Sequence, residues 1–333
     1  MVTWSVHSLT RSREVKPLLV RVCQVGVTLP MDNSSYFNLS IFLNIGPYRY
    51  PAFVLCLLLY VFIVCANLVI IVVILRERAL HEAMYVFIAL LSTNALYGSV
   101  GFFPRFLLDI LSDAHLIGRP ACFAQIYVIY SYAFSEVTIL GVMSYDRYVA
   151  VCQPLHYHSR MTSRRVKQLA ALALICPAFY NSVSIYMTAM FPLCGNKIQK
   201  VYCASWNIAK LSCVTSAITQ IVATIAAAIV SFLPICCILY SYSRIVLLCW
   251  KSSSMFRWKV LQSCLPHIIS IMIYVLTSFS DTILNRYELH DLNPLLAIIV
   301  SLEFIVIPPV LNPLVYGLKL PEIRTHIVKK RLN

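Results

Sequence analysis

The chain is poor in charge. Only 12% of its 333 residues are Asp, Glu, Lys or Arg, roughly half the quarter typical of soluble domains. Acids are the scarcer sign, 13 against 27 bases. Apolar residues fill the gap, at 60% of the chain and a mean hydropathy of +0.78. One water-soluble core cannot absorb that much apolar surface, so a soluble globular domain is excluded and several membrane crossings are implied. A recognisable metal-ligand pattern such as H-E-x-x-H is also lacking around His156, His158 and His267, which argues against a membrane metalloenzyme. No convincing internal repeat divides the chain into halves, as many transporters do. The net charge of +14 is accounted for by basic inner loops rather than by nucleic acid.

What the chain has is long apolar runs. A spanning helix needs about 20 such residues, and seven candidates satisfy this: 51–75, 84–108, 122–150, 166–190, 215–248, 259–284 and 294–318. The runs are continuously apolar rather than alternating, which favours helices over a barrel. With the N-terminus outside, 16 of the 27 bases fall on the cytoplasmic side, four in the first 30 residues and seven in outer loops, so the positive-inside rule predicts N-out and C-in. The expected fold is an all-α membrane protein, a seven-transmembrane-helix bundle over residues 51–318. It is preceded by an extracellular tail (1–50). It is followed by "LPEIRTHIVKKRLN" within 319–333, where Ile323, Ile327 and Val328 recur at helical spacing and predict a short amphipathic helix on the inner leaflet.

The first 30 residues are basic, and Arg21 interrupts their only apolar stretch, which does not fit a cleavable signal peptide. Met31 opens "MDNSSYFNLS", so residues 1–30 are read as an extension upstream of the natural start at Met31. Asn33 and Asn38 are N-x-S acceptors and agree with a lumenal tail. Of 13 cysteines, Cys122, Cys194, Cys203 and Cys213 lie in outer segments. That side permits disulfides, and four cysteines allow three connectivities.

Polar residues interrupt the apolar runs at Glu136, Asp146 and Glu303. An acid at membrane depth costs about 2.5–3.5 kcal/mol on insertion scales and usually faces the bundle interior or a cavity. Asp146 and Arg147 close the third span, where an interfacial anchor and a functional pair are equally open from charge pattern alone. Prolines 104, 177, 234, 266, 308, 309 and 313 fall within spans. Each removes a backbone hydrogen bond and can act as a kink or hinge.

Seven spans with "DRY" (146–148) closing the third and "NPLVY" (312–316) in the seventh resemble a rhodopsin-like G-protein-coupled receptor. More narrowly, "MSYDRYVAVCQPLHY" (143–157) resembles the signature of vertebrate odorant receptors. So do "LHEAMYVF" (80–87), "SYSRIV" (241–246), "KVLQSCLPHI" (259–268) and "PPVLNPLVYGLK" (308–319). The resemblance covers roughly residues 36–330, and "LHEAMY", "CLPHI" and "LKLPEIR" are similar to the fish-type branch.

The resemblance implies Cys122–Cys203 and Cys194–Cys213 disulfides. It implies a coupling switch of Asp146, Arg147, Tyr148, Tyr242, Asn312, Pro313 and Tyr316, in which Asp146 holds Arg147 at rest and Tyr242 and Tyr316 move inward on activation. Asn67 and Glu136 match family positions in spans one and three. An odorant pocket is implied in the outer half of the bundle. Helical counting from Arg147 nominates Ile129, Tyr130, Ala133 and Phe134, with Tyr274 and Ser301 on the opposite wall. The partners implied are a small odorant, a stimulatory G protein raising cyclic AMP, and membrane lipid, in the plasma membrane of olfactory sensory cilia. No enzyme activity, cofactor or metal is called for.

The chain departs from the family pattern at Ala83, where a proline is usual, and in lacking the acid many relatives have after Cys213. It also offers Asn94-Ala95 instead of the span-two aspartate, which puts a sodium site in doubt. A receptor for a non-odorant ligand is the nearest alternative; a transporter or channel is a distant one.

Overall fold

The computed structural model describes residues 35–39, 48–198, 200–213, 217–286 and 294–319. Seven long helices form the bundle: α1 (Arg49–Arg76), α2 (Ala83–Leu111), α3 (Arg119–Cys152), α5 (Ser163–Ala189), α7 (Ala217–Trp250), α8 (Ser254–Arg286) and α9 (Pro294–Lys319), with short α4 (Tyr157–Arg160) and α6 (Ser205–Lys210) between them. Six are long and apolar enough to cross a membrane, and α9 contains a shorter apolar stretch, Ser301–Gly317. All seven candidate runs are therefore helices. Several overrun the expected ends, because a helix does not stop where its apolar stretch does: α8 begins at Ser254 rather than 259.

Burial separates interior from peripheral helices. α2 and α3 each bury sixteen residues, whereas α5 buries four, Val166, Ala173, Pro177 and Asn181, on one narrow stripe. α1 buries Ile63, Asn67, Ile70 and Ile74 at helical spacing, with Val73 beside them, and exposes Leu55, Leu58 and Phe62. An apolar surface turned outward all around a bundle suits a hydrocarbon solvent. α2 and α3 approach closely at Gly98 and Gly101. A Cβ on Gly98 would stand 2.6 Å from the ring of Tyr132, and one on Gly101 would collide with Val128.

Two apolar clusters stack along the bundle. One, at the disulfide end, holds Ile63, Phe102, Ile129 and Ile305; the other holds Ile70, Leu91, Ile139 and Tyr316. On α1, α2, α3 and α9 the buried polar residues Asn67, Asn94, Glu136 and Asn312 fall between those two contributions, forming a polar layer at mid-bundle.

The sequence pattern did not announce a three-stranded sheet capping the disulfide end. β1 (Tyr36–Leu39) lies between β2 (Leu116–Gly118), antiparallel, and β3 (Lys197–Ile198), parallel. Strands of two to four residues carry too little alternation to be recognised. Phe37 and Leu39 are wholly buried beneath the sheet. Met31, Asn33 and the tail beyond Lys319 lie outside the described residues.

Candidate functional site

The last turns of α3 place Asp146 fully buried and Arg147 with 14% of its side chain exposed. Arg147 folds back so that Nε and Nη2 donate to Asp146 Oδ2 at 3.1 and 2.6 Å, the fork geometry that suits a carboxylate. The other carboxylate oxygen accepts from the Tyr157 hydroxyl of α4 at 2.9 Å. Burial, then the Asp146 charge, hold the Tyr157 pKa well above the ordinary tyrosine value, so this hydroxyl remains a donor. Arg147 Nη1 also donates to Ser263 Oγ on α8 at 3.1 Å. One guanidinium thus joins α3 to α8 while staying neutralised by α3's own acid.

Deeper in the bundle, Tyr242 of α7 and His267 of α8 meet at 2.6 Å, hydroxyl to Nδ1, and His267 Nε2 lies 3.1 Å from the Leu140 carbonyl oxygen of α3. A carbonyl only accepts, so Nε2 donates; in a neutral imidazole Nδ1 then accepts from Tyr242. Three helices meet through one ring.

In the polar layer, Glu136 accepts from Asn94 Nδ2 at 2.9 Å and from Asn312 Nδ2 at 2.7 Å. Each carboxylate oxygen thus meets an amide donor, and the layer joins α2, α3 and α9 by hydrogen bonds. Prolines explain two further cross-links. Pro313 cannot donate to the Pro309 carbonyl one turn earlier, and Asn67 Nδ2 of α1 supplies that donor at 3.0 Å. Pro177 likewise frees the Ala173 carbonyl, and the Thr138 hydroxyl of α3 stands 2.7 Å from it. Tyr316 is buried in the Asp146-end cluster, and the half-buried Tyr148 hydroxyl accepts from Gln153 at 3.0 Å.

At the opposite end the cysteines are joined as Cys122–Cys203 and Cys194–Cys213. The loop they hold carries Lys200, which is buried and paired with Asp281 of α8 at 2.8 Å. Of the nominated pocket residues, Ile129 is buried in the disulfide-end cluster, and Tyr130 and Ala133 pack against it. Tyr274 donates to the Ala133 carbonyl at 3.0 Å, so those two walls do meet. Phe134 sets its ring near Tyr130, 6.4 Å between centroids, and edge to face against Tyr180 of α5 at 5.5 Å. Ser301 is buried and Glu303 half-buried on α9. Asn38 sits half-buried on the central strand.

The partners Tyr157, Ser263, His267, Asn94, Thr138 and the Lys200–Asp281 pair carried no sequence signal of these contacts. Among the described residues, no group of three His, Cys, Asp or Glu side chains is placed to hold a metal.

Seven helices around a buried Asp146–Arg147 pair define a receptor of the rhodopsin type. Squid rhodopsin superimposes with a TM-score of 0.68 over 84% of each chain, at 15% identity, a likeness of fold. Residues 55–333 match the olfactory receptor family, and the chain belongs to that family, which is not enzymatic. Human olfactory receptor 51F2 is 32% identical over 82% of this chain and 80% of its own length. Human olfactory receptor 52J3 is 32% identical over 81% of this chain and 86% of its own.

Proposed function

We propose that the protein is an odorant receptor that binds a small molecule in the disulfide half of the bundle and activates a stimulatory G protein at the Asp146 end, raising cyclic AMP. The observation that carries this reading is the Arg147 junction: one arginine held by Asp146 and bonded to Ser263 of α8. Such a contact is a two-state element. Separation of α8 from α3 would free Arg147 for a partner, and closure would withhold it. The imidazole joining Tyr242, His267 and Leu140 adds α7 to the same closed arrangement.

A ligand seated among Tyr130, Ala133, Tyr274 and Ser301 shifts the balance only by binding the open arrangement more tightly. The partner helix then enters as a helix in a groove, beside Tyr148, Tyr242 and Tyr316. The count of bases supports an N-out, C-in orientation in the plasma membrane. In that orientation the disulfides, Asn33 and Asn38 lie outside, and the olfactory cilium is the site of action in this proposal. The similarity of the loop motifs supports a fish-type branch.

The test is heterologous expression with a cyclic AMP reporter and an odorant panel that includes water-soluble compounds. A concentration-dependent response abolished by Arg147→Ala at equal surface density is expected. Responses unchanged in that variant would overturn the coupling role.

A further inference from the structure

No acid occurs between Asp146 and Asp281. Within that stretch, at the Asp146 end, lies a cleft of about 430 Å³ between α3, α4 and the start of α5. Arg160 from α4 and Arg164 and Arg165 from the first turn of α5 line it, together with Ser159, Thr162 and Gln168. All six are exposed. Among the described residues none of the three arginines pairs with an acid; the ion pairs lie elsewhere, at Arg49, Arg105, Arg147 and Lys200. Three uncompensated guanidiniums beside the Thr162 hydroxyl and the Gln168 amide form an acceptor-seeking cavity, and the planar guanidinium fork matches phosphate oxygens.

The surface beyond the cleft narrows the ligand further. From Arg164 the face of α5 continues through Gln168, Leu172, Ile175 and Phe179, at successive spacings of four, four, three and four, which follow one helical face. The last three side chains are 57%, 64% and 70% exposed. A basic cleft therefore passes directly into an outward apolar track along the same helix. Free phosphate would use only the cleft. A phospholipid uses both, with its headgroup among the arginines and its acyl chain along α5. A diester phosphate brings one negative charge and a monoester about −1.5 to −2 at pH 7, so three arginines match a headgroup that carries both.

We infer that this cleft is a site for an anionic phospholipid bearing phosphomonoester groups, seated at the inner leaflet against α4 and α5. The inference shares the inner placement of the Asp146 end with the proposed function, but it needs neither the odorant nor the G protein.

The experiment places the purified full chain in phosphatidylcholine nanodiscs doped with phosphatidylinositol bisphosphate or phosphatidylserine, or mixed with soluble inositol trisphosphate. Retained adducts are read by native mass spectrometry. Both leaflets carry the probe, so failure here leaves the cyclic AMP result standing, and the reverse holds too. Preferential retention of the bisphosphate lipid is expected. At about tenfold for each charge-assisted hydrogen bond lost, each single Arg→Gln change weakens retention about tenfold, and R160Q/R164Q/R165Q weakens it at least about a hundredfold. If the triple variant does not fold, the three single variants carry the test. K251Q/R257Q, which removes bases from the same end outside the cleft, leaves retention within about twofold.

Equal loss in K251Q/R257Q would reduce the effect to general surface charge and overturn the site. Equal binding of soluble inositol trisphosphate would make it a free-phosphate site. Unchanged lipid retention in the triple variant, with loss of G-protein capture instead, would assign the arginines to a protein partner.

Discussion

Asp146→Asn is expected to raise signalling in the absence of odorant. The acid is fully buried and accepts three charge-assisted hydrogen bonds: two from Arg147 and one from Tyr157. A carboxamide of the same shape presents one oxygen and one donor group. Whichever way it turns, it loses its charge and at least one of those bonds. Each contributes about 1.5–3 kcal/mol, so the closed arrangement loses about ten- to hundredfold in relative population. A resting receptor about 1% open would become about 10–50% open.

The measurement is basal cyclic AMP across a titration of receptor cDNA, normalised to surface density by antibody labelling of an N-terminal tag. Ser263→Ala supplies an independent arm: it removes only the bond between Arg147 and α8, so a rise at the low end of that range, about tenfold, is expected. A basal level in Asp146→Asn equal to wild type at matched density would refute the latch. So would a rise that persists in Asp146→Asn/Arg147→Ala, because Arg147 is the group that the change is meant to release.

Gly98→Val is expected to cost about 1–3 kcal/mol by overpacking, because its Cβ meets the Tyr132 ring at 2.6 Å; the melting temperature in detergent should fall and surface labelling drop. Asn67→Ala leaves the Pro309 carbonyl without its cross-helix donor and should destabilise by about 1–3 kcal/mol. Removing Cys122–Cys203 should cost about 1 kcal/mol more than removing Cys194–Cys213, since the chain-entropy cost grows with the logarithm of loop length and the separations are 81 and 19 residues. Paired Cys→Ser variants compared by thermal denaturation check that ordering.

The spans were legible because a bilayer imposes a length and a composition on every crossing helix: all seven runs are helices, and six of these are long and apolar enough to cross among the described residues. Asp146, Arg147 and Glu136 stood out for an equally simple reason: charge is costly in hydrocarbon. Their partners did not stand out. Ser263 is 116 residues from Arg147, and Asn312 is 176 from Glu136. A serine or an asparagine in a span is ordinary until the packing of two distant helices gives it something to bond. Helical counting sets Phe134 one turn from Tyr130, but its second neighbour, Tyr180 of α5, depends on how two helices pack. Prolines were visible as breaks in the ladder, yet which carbonyl would be rescued, and by which helix, depended on Asn67 and Thr138 arriving there.

The cap sheet sets an order on biogenesis. β1 is the earliest of its three strands in the chain but lies between the other two. Its parallel partner at Lys197–Ile198 is synthesised roughly 160 residues later, which at about 5–20 residues per second takes on the order of ten to thirty seconds. Four helices must be threaded into the membrane in that interval, while Phe37 and Leu39, destined for full burial, wait for the completed sheet. β1, which precedes every helix of the bundle, is therefore among the last elements to be fully docked. Until β3 arrives it presents at least one unpaired edge and two incompletely covered apolar side chains to any chaperone that surveys nascent receptors.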